Sequence, residues 1–245
     1  MKLSVIIPAY NEEKNLDAGS LTQVNDYLKK QPYEYEVLIV DDGSTDQTSS
    51  KIKDMIKDMP GFRLIEAPHG GKALTVILGM KEAKGEIALF TDMDQSTPIK
   101  EVEKFFPKFE SGFDIVIGSR EGRKGSTVVR KVISLGFAVL RLIILGMPFK
   151  DTQCGFKAFD KTARENLFPK VKDRWKKSSG DRASVNAGFD VELLFLAKRT
   201  GYKIAEVTVE WHHAPSERVH AVRDALETIR DLFRVRFNAW SGEYN

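Results

Sequence analysis

Short apolar runs alternate with longer amphipathic stretches through the first half of the chain. LSVII (3–7), YEVLIV (35–40), FRLIE (62–66), EIALFT (86–91) and FDIVIG (113–118) are compact enough to be buried strands. The stretches between them predict helices running to about Lys30, from about Thr45 to Met59, over about 72–84 and over about 98–109. Strands alternating with helices in this way predict an α/β fold, a mostly parallel central sheet sandwiched by helices. Ligands of such sheets bind at the carboxyl ends of the strands. PAYNEE follows the first run, DDGSTD the second, DMDQS the fourth and GSR the fifth, so the polar clusters share one edge.

The second half is less regular. TVVRKVISLGFAVLRLIILGMPF (127–149) predicts a helix over about 127–146 with one narrow polar stripe. Thr127, Arg130, Lys131, Ser134 and Arg141 form that stripe, and nearly everything else is apolar. Such a helix is buried in protein or lies at a lipid surface, with Arg130 and Arg141 facing phosphate in the second case. GFKAFD (155–160) predicts a short strand, FDVELLFLAKR (189–199) a helix and KIAEVTVEW (203–211) a strand. KVKDRWKKSSGDRAS (170–184) reads as a solvated loop whose basic residues suit anionic headgroups. A last helix over about 217–240 puts Val222, Leu226, Ile229, Phe233, Phe237 and Trp240 on one face, expected to cover the sheet. No repeat or linker divides 1–245, which reads as one domain.

Composition narrows the function classes. With 38 basic and 35 acidic residues the net charge is +3, so no bulk field argues for nucleic acid. One cysteine, Cys154, fits a reducing cytosol and packs more readily than it reacts. The opening MKLSVIIPAY is too short an apolar run for a signal peptide. No window supplies the ~18 apolar residues of a spanning helix. These features predict a cytoplasmic chain.

Asp92 and Asp94 pose the chemical question: a buried strand ends in two carboxylates one residue apart. They repel each other unless a cation lies between them, and Mg2+ or Mn2+ bridging a diphosphate fits. An aspartate capping the turn before Pro98 is the bland alternative. Other signatures fail. PAYNEE lacks the glycines of a dinucleotide loop, and HGGK (69–72) has Ala73 where a phosphate loop needs Ser or Thr. DMDQSTPIKEVE has Thr97 where a calcium hand needs glycine. His212 and His213 point to opposite faces of a strand, without further zinc ligands at suitable spacing.

VIIPAYNEEKNL (5–16), VDDGSTD (40–46), GGKALTVILGM (70–80), TDMDQSTP (91–98), IGSR (117–120), RKVIS (130–134), DTQCGFKAF (151–159) and FDVELL (189–194) resemble, in order, the family 2 glycosyltransferases of the GT-A fold. They are most similar to the polyprenyl-phosphate hexose synthases, the dolichyl-phosphate glucose and mannose synthase group, and DTQCGFK leans toward the glucose branch. The resemblance implies a nucleotide-binding half (1–120) and an acceptor half (121–245). By it Pro8, Ala9, Tyr10, Glu12, Val40, Asp42, Gly71, Lys72, Asp92 and Met93 would line the nucleotide-sugar pocket. Asp92 and Asp94 would hold the metal, Arg120 would grip phosphate, and Arg130 and Arg218 the acceptor phosphate.

The implied reaction is inverting transfer of a hexose from a nucleotide-sugar, UDP-hexose favoured over GDP-hexose, to polyprenyl phosphate. An ionised phosphate nucleophile needs no strong base, so Asp94, Arg120, Arg130, Asp151 and Asp190 are the catalytic candidates. Asp151 or Asp190 would orient the acceptor or take a residual proton; helix capping accounts for each equally well. Many relatives carry spanning segments that this sequence lacks, which implies a peripheral enzyme on the cytosolic face or one with a membrane-protein partner. PSERV departs from the family's Gly-Ser-Lys, and 170–184 is longer than the pattern expects. The rival functions are transfer to a glycan hydroxyl, which would make Asp190 an essential base, and a catalytically silent nucleotide-sugar-binding membrane scaffold.

Overall fold

A computed structural model describes residues 1–120, 128–178, 187–212 and 221–244. Its strands are β1 (Leu3–Ala9), β2 (Tyr35–Asp41), β3 (Phe62–Glu66), β4 (Ile87–Phe90), β5 (Ile115–Ser119), β6 (Lys157–Asp160) and β7 (Ile204–Thr208). The helices of the first half are α1 (Glu13–Asp17), α2 (Ser20–Leu28), α3 (Thr48–Met55), α4 (Lys72–Glu82) and α5 (Phe106–Glu110). Those of the second are α6 (Val128–Leu145), α7 (Lys161–Ser178), α8 (Ala187–Arg199) and α9 (Ala221–Trp240).

The strands form one sheet in the order β3-β2-β1-β4-β6-β5-β7. All neighbours run parallel except β6, which is antiparallel to both β4 and β5. Both faces are buried because consecutive residues alternate between two apolar layers. Val5 and Ile7 of β1 pack with Leu21, Val24 and Leu28 of α2 and with Ile52 of α3. Ile6, Leu38 and Val40 pack on the other side with α4, α7 and α8.

The predicted strands hold, while several helices differ from the sequence reading. The first stretch is two helices, because Gly19 adopts φ 81° between α1 and α2. The stretch predicted over 98–109 is a 3-10 helix, Ile99–Lys104, followed by α5, where Pro107 occupies the first turn and needs no intrahelical partner for its missing N–H. The hydrophilic run from 170 is not a loop as far as Ser178: it completes α7, anchored by buried Trp175.

The sidedness of α9 is the reverse of the expected one, and α6 departs from its reading at Arg141. Arg141, read as facing phosphate, is only 1% exposed, whereas Val139, Leu142 and Ile143 are exposed. Arg141 turns inward because its guanidinium satisfies the loop after α6, donating to the Phe149 carbonyl and, at 3.1 Å, to Thr152 Oγ1. On α9 the core is met by Leu232 and Val235. Phe233, Phe237 and Trp240, expected to cover the sheet, are 58%, 67% and 73% exposed. No described helix is long and apolar enough to cross a membrane.

Candidate active site at the carboxyl edge of the sheet

The register brings four loops to one edge. Ala9 lies opposite Asp41, and Phe90 opposite Ile6, so the chain leaves β1, β2 and β4 on the same side. β6 contributes from its beginning: Lys157 lies opposite both Phe90 and Ile117. The antiparallel insertion therefore delivers residues 151–157 to an edge that is otherwise built from strand ends.

The loops after β1 and β2 fasten to each other. Asn11, at φ 52°, donates its N–H to Ser44 Oγ (3.0 Å) and accepts the Thr45 N–H (2.9 Å). Glu12 N–H donates to Thr48 Oγ1 at 2.8 Å. Asp42 is buried and accepts the Gly70 and Gly71 N–H groups at 2.8 and 2.9 Å. The glycines that suggest a phosphate loop in sequence thus bind a carboxylate of the protein itself. Gly71 sits at φ 87°, open only to glycine at low cost, and starts α4. His69 lies 2.9 Å from the Asp42 carboxylate and stacks on Tyr10 with ring centroids 4.3 Å apart.

α4 then aims Lys72 at the acidic pair. Its ammonium contacts Asp92 Oδ1. Burial disfavours the charged lysine, but the charges of Asp92, Asp190 and Asp94 outweigh it and hold the pKa above the ordinary value. Asp94 accepts the Ser96 N–H at 2.9 Å, so it also organises the turn, as the capping alternative expected. Gly155 faces Asp92 so closely that a Cβ there would overlap the carboxylate.

Beside this pair lie two more ion pairs, one across the two halves and one within the second. Arg120 clasps Asp151 through Nε and Nη2 (2.6 and 2.9 Å). Burial pushes the Asp151 carboxyl up, yet the hydrogen bonds and charge of Arg120 dominate and lower it to about 2. The same partnership raises Arg120 against its own burial. Glu206 of β7 secures the loop by accepting the Lys150 and Asp151 N–H groups at 2.9 and 2.7 Å. Lys157, with no exposed surface, donates to Asp190 Oδ1 at 2.7 Å and to the Cys154 carbonyl.

A divalent ion fits this donor set. Asp92 already attracts a cation, the Lys72 ammonium, and Gln95 holds a buried Oε1 that has no partner. No cluster of three or more His, Cys, Asp or Glu that could hold a metal exists among the described residues, so diphosphate oxygens or water would complete the shell. His212 pairs with Glu210 at 3.0 Å, while His213 lies outside the described residues.

The remaining site residues fall in three groups. Ala9, Val40 and Met93 are buried in the core layers beneath the edge, and Pro8 continues β1 opposite Val40. Arg130 lies on α6 with its side chain outside the described residues, as is the whole of Arg218. His69, Lys157, Glu206 and Trp211 escaped the sequence reading; Trp211 lies under Arg120, 5.8 Å from guanidinium to ring centroid. The adjacency of His69 to GGK and of Lys157 to DTQCGF was their only signal.

Known proteins resemble the chain over most of its length. A family model described as "Glycosyl transferase family 2" matches residues 4–194. The dolichyl-phosphate beta-glucosyltransferase of Dictyostelium discoideum is 32% identical, covering 96% of this chain and 74% of its own. The protein of that name from Saccharomyces cerevisiae is 31% identical, with 99% and 76% covered. Among solved structures, glucosyl-3-phosphoglycerate synthase from Mycobacterium tuberculosis, in complex with Mn2+, UDP-Glc and phosphoglyceric acid, superposes with a TM-score of 0.61 at 20% identity over 96% of this chain and 79% of its own. A mannosyltransferase from Pyrobaculum calidifontis, in complex with GDP-Man and Mn2+, gives 0.59 at 22% identity over 92% and 60%. The architecture is the GT-A fold.

Proposed function

The chain belongs to glycosyl transferase family 2, and from that premise we propose that it transfers glucose from UDP-glucose to dolichyl or another polyprenyl phosphate, with inversion, at the cytosolic face of a membrane. One observation carries the reading. Asp92, Asp94, Lys72, Arg120 and Asp190 meet at one sheet edge, a mixed-charge set suited to a nucleotide diphosphate and a second phosphate. The names of the curated relatives support glucose and dolichyl phosphate as substrates.

Residues 1–120 hold the donor and 121–245 the acceptor. The nucleoside sits against the Asp42 loop and the Tyr10–His69 stack, with Pro8, Glu12 and Gly71 around it. Asp92 and Asp94 would hold Mg2+ or Mn2+, which would supply positive charge against the leaving diphosphate. Lys72 and Arg120 supply fixed positive charge for the same phosphates. An oxygen of the lipid phosphate forms the new bond to the anomeric carbon. The bond from that carbon to the diphosphate breaks, its electron pair leaving with UDP. Any proton still on the attacking phosphate passes to Asp190, because Asp151, held near a pKa of about 2 by Arg120, is too weak a base. Arg130 and Arg218 complete the acceptor phosphate site. The outward apolar faces of α6 and α9 support a seat on the bilayer from which the acceptor is drawn.

Purified protein incubated with labelled UDP-glucose, GDP-mannose and other nucleotide-sugars, plus polyprenyl phosphate, tests this. Glucose label should enter the organic phase in β configuration, only with a divalent metal, and Asp94→Ala should abolish it. Label confined to water-soluble product defeats the lipid acceptor; transfer undiminished by both chelator and Asp94→Ala defeats the metal site.

A further inference from the structure

Lys157 is a charged side chain without a share of the surface, 0% exposed. Burying an ammonium is expensive unless it is paired and hydrogen-bonded. A hydrophobic residue would serve better at this position if strand formation alone were at stake, since neighbouring Phe156, Ala158 and Phe159 are all buried. The ammonium is instead held 5.3 Å from the Phe90 ring centroid and shared between the Cys154 carbonyl and Asp190 Oδ1. Phe90 is the last residue of β4, two positions before Asp92, and Cys154 directly precedes the Gly155 that faces Asp92. Lys157 thus joins three segments of the site: the end of β4, the loop before β6 and the first turn of α8, which carries Asp190.

We propose that Lys157 is the positioning residue of Asp190: it occupies one carboxylate oxygen and turns the second toward the cluster of Lys72, Asp92 and Asp94. Asp190 then stands between two ammonium groups, bonded to Lys157 and within electrostatic reach of Lys72. In that place it accepts a proton, or orients the attacking phosphate, without a search over rotamers. Neutralisation by Lys157 also limits its repulsion of the anionic acceptor. The inference rests on the transfer reaction proposed above and on Asp190 acting in it.

The test compares the wild type with Lys157→Met, Asp190→Asn and the double variant, measuring transfer from UDP-glucose to polyprenyl phosphate. Melting curves and Mn2+-dependent UDP binding report folding and donor-site integrity. Each single variant should lower kcat by about 100-fold, the scale of a displaced catalytic group, with the donor KM within about twofold of wild type. The double variant should be no slower than Asp190→Asn alone, because Lys157 acts through that carboxylate. Should Lys157→Met fold poorly, Lys157→Gln takes its place in the same comparison. A Lys157 variant that keeps more than half of the wild-type kcat overturns the proposal. So does a double variant as slow as the product of the singles, or full activity in Asp190→Asn. A wild-type protein that labels no lipid is a separate failure, of the transfer reading, and takes this inference with it.

Discussion

α2 and α9 carry similarly amphipathic patterns and solve them in opposite ways. In α2 the apolar residues Leu21, Val24 and Leu28 are buried against the sheet, and polar residues meet water. In α9 the larger apolar side chains, Phe233, Phe237 and Trp240, face outward while Leu232 and Val235 hold the helix to the core. α6 repeats the inversion, exposing Ile143 and burying Arg141. A helix inverted in this manner exposes apolar area at a cost of about 25 cal/mol per Å2 when water is the only solvent. Two such helices packed together give the second half an exposed apolar face that α2 does not have, and this is the face the proposed seat on the bilayer would use.

The comparison breaks most visibly if the outward residues are changed. Ile143→Ser, Phe237→Ser and Trp240→Ser combined should remove roughly 4 kcal/mol of transfer free energy. That corresponds to about a 10³-fold loss in partitioning onto lipid vesicles. The melting temperature should stay nearly constant, because these side chains are exposed. Sedimentation with vesicles measures the first quantity and calorimetry the second. Undiminished vesicle binding would return both helices to the same class as α2.

Much of the donor half was open to sequence reading, for a physical reason. Parallel strands with both faces covered are continuous apolar runs, and their carboxyl ends must be polar, so LSVII–PAYNEE and EIALF–TDMD announce both the strand and its rim. The second half hides its logic because its key contacts are non-local. Arg141 on the polar stripe of α6 gives no sign that its partners are Phe149 and Thr152, eight and eleven residues later. Lys157 in GFKAFD looks like the polar residue of an edge strand, yet β6 is inserted in mid-sheet and gives that residue no solvent. The run after 170 reads as a loop because its charges conceal two core anchors, Val171 and Trp175, the latter donating its Nε1–H to Glu192 at 3.0 Å.

A smaller effect sharpens the contrast at the seam between the halves. Gly155→Ala adds one methyl group where the loop of the second half touches Asp92 of the first. The carboxylate must move, and displacement of a ligand by about an ångström lowers kcat by about 100-fold. Mn2+ affinity, followed by electron paramagnetic resonance, should weaken in parallel. Gly201→Ala, whose added methyl meets nothing within 4 Å but is strained at φ 88°, should lower the melting temperature and leave transfer unchanged.

The smallest effect lies in the acid range and belongs to the clasp between the two halves. Asp151 titrates near 2 in the folded protein and at 3.8 ordinarily, because Arg120 favours the anion more than burial opposes it. A folded pKa below the unfolded one gives stability that is complete above pH ~4 and is lost as pH falls through about 2. The shift is worth about 2 kcal/mol. Thermal melts between pH 6 and pH 2 should therefore show a steeper acid decline for the wild type than for Asp151→Asn, which lacks the titrating group. Asp151→Asn should already be less stable at neutral pH, since it leaves Arg120 buried without its counter-charge. Parallel acid limbs in the two proteins would mean that the Arg120–Asp151 pair is not closed in solution. Arg120 would then keep Trp211 and the charge of Asp92 as neighbours, and the two halves would meet at the sheet edge through Gly155 and Asp190 without this clasp.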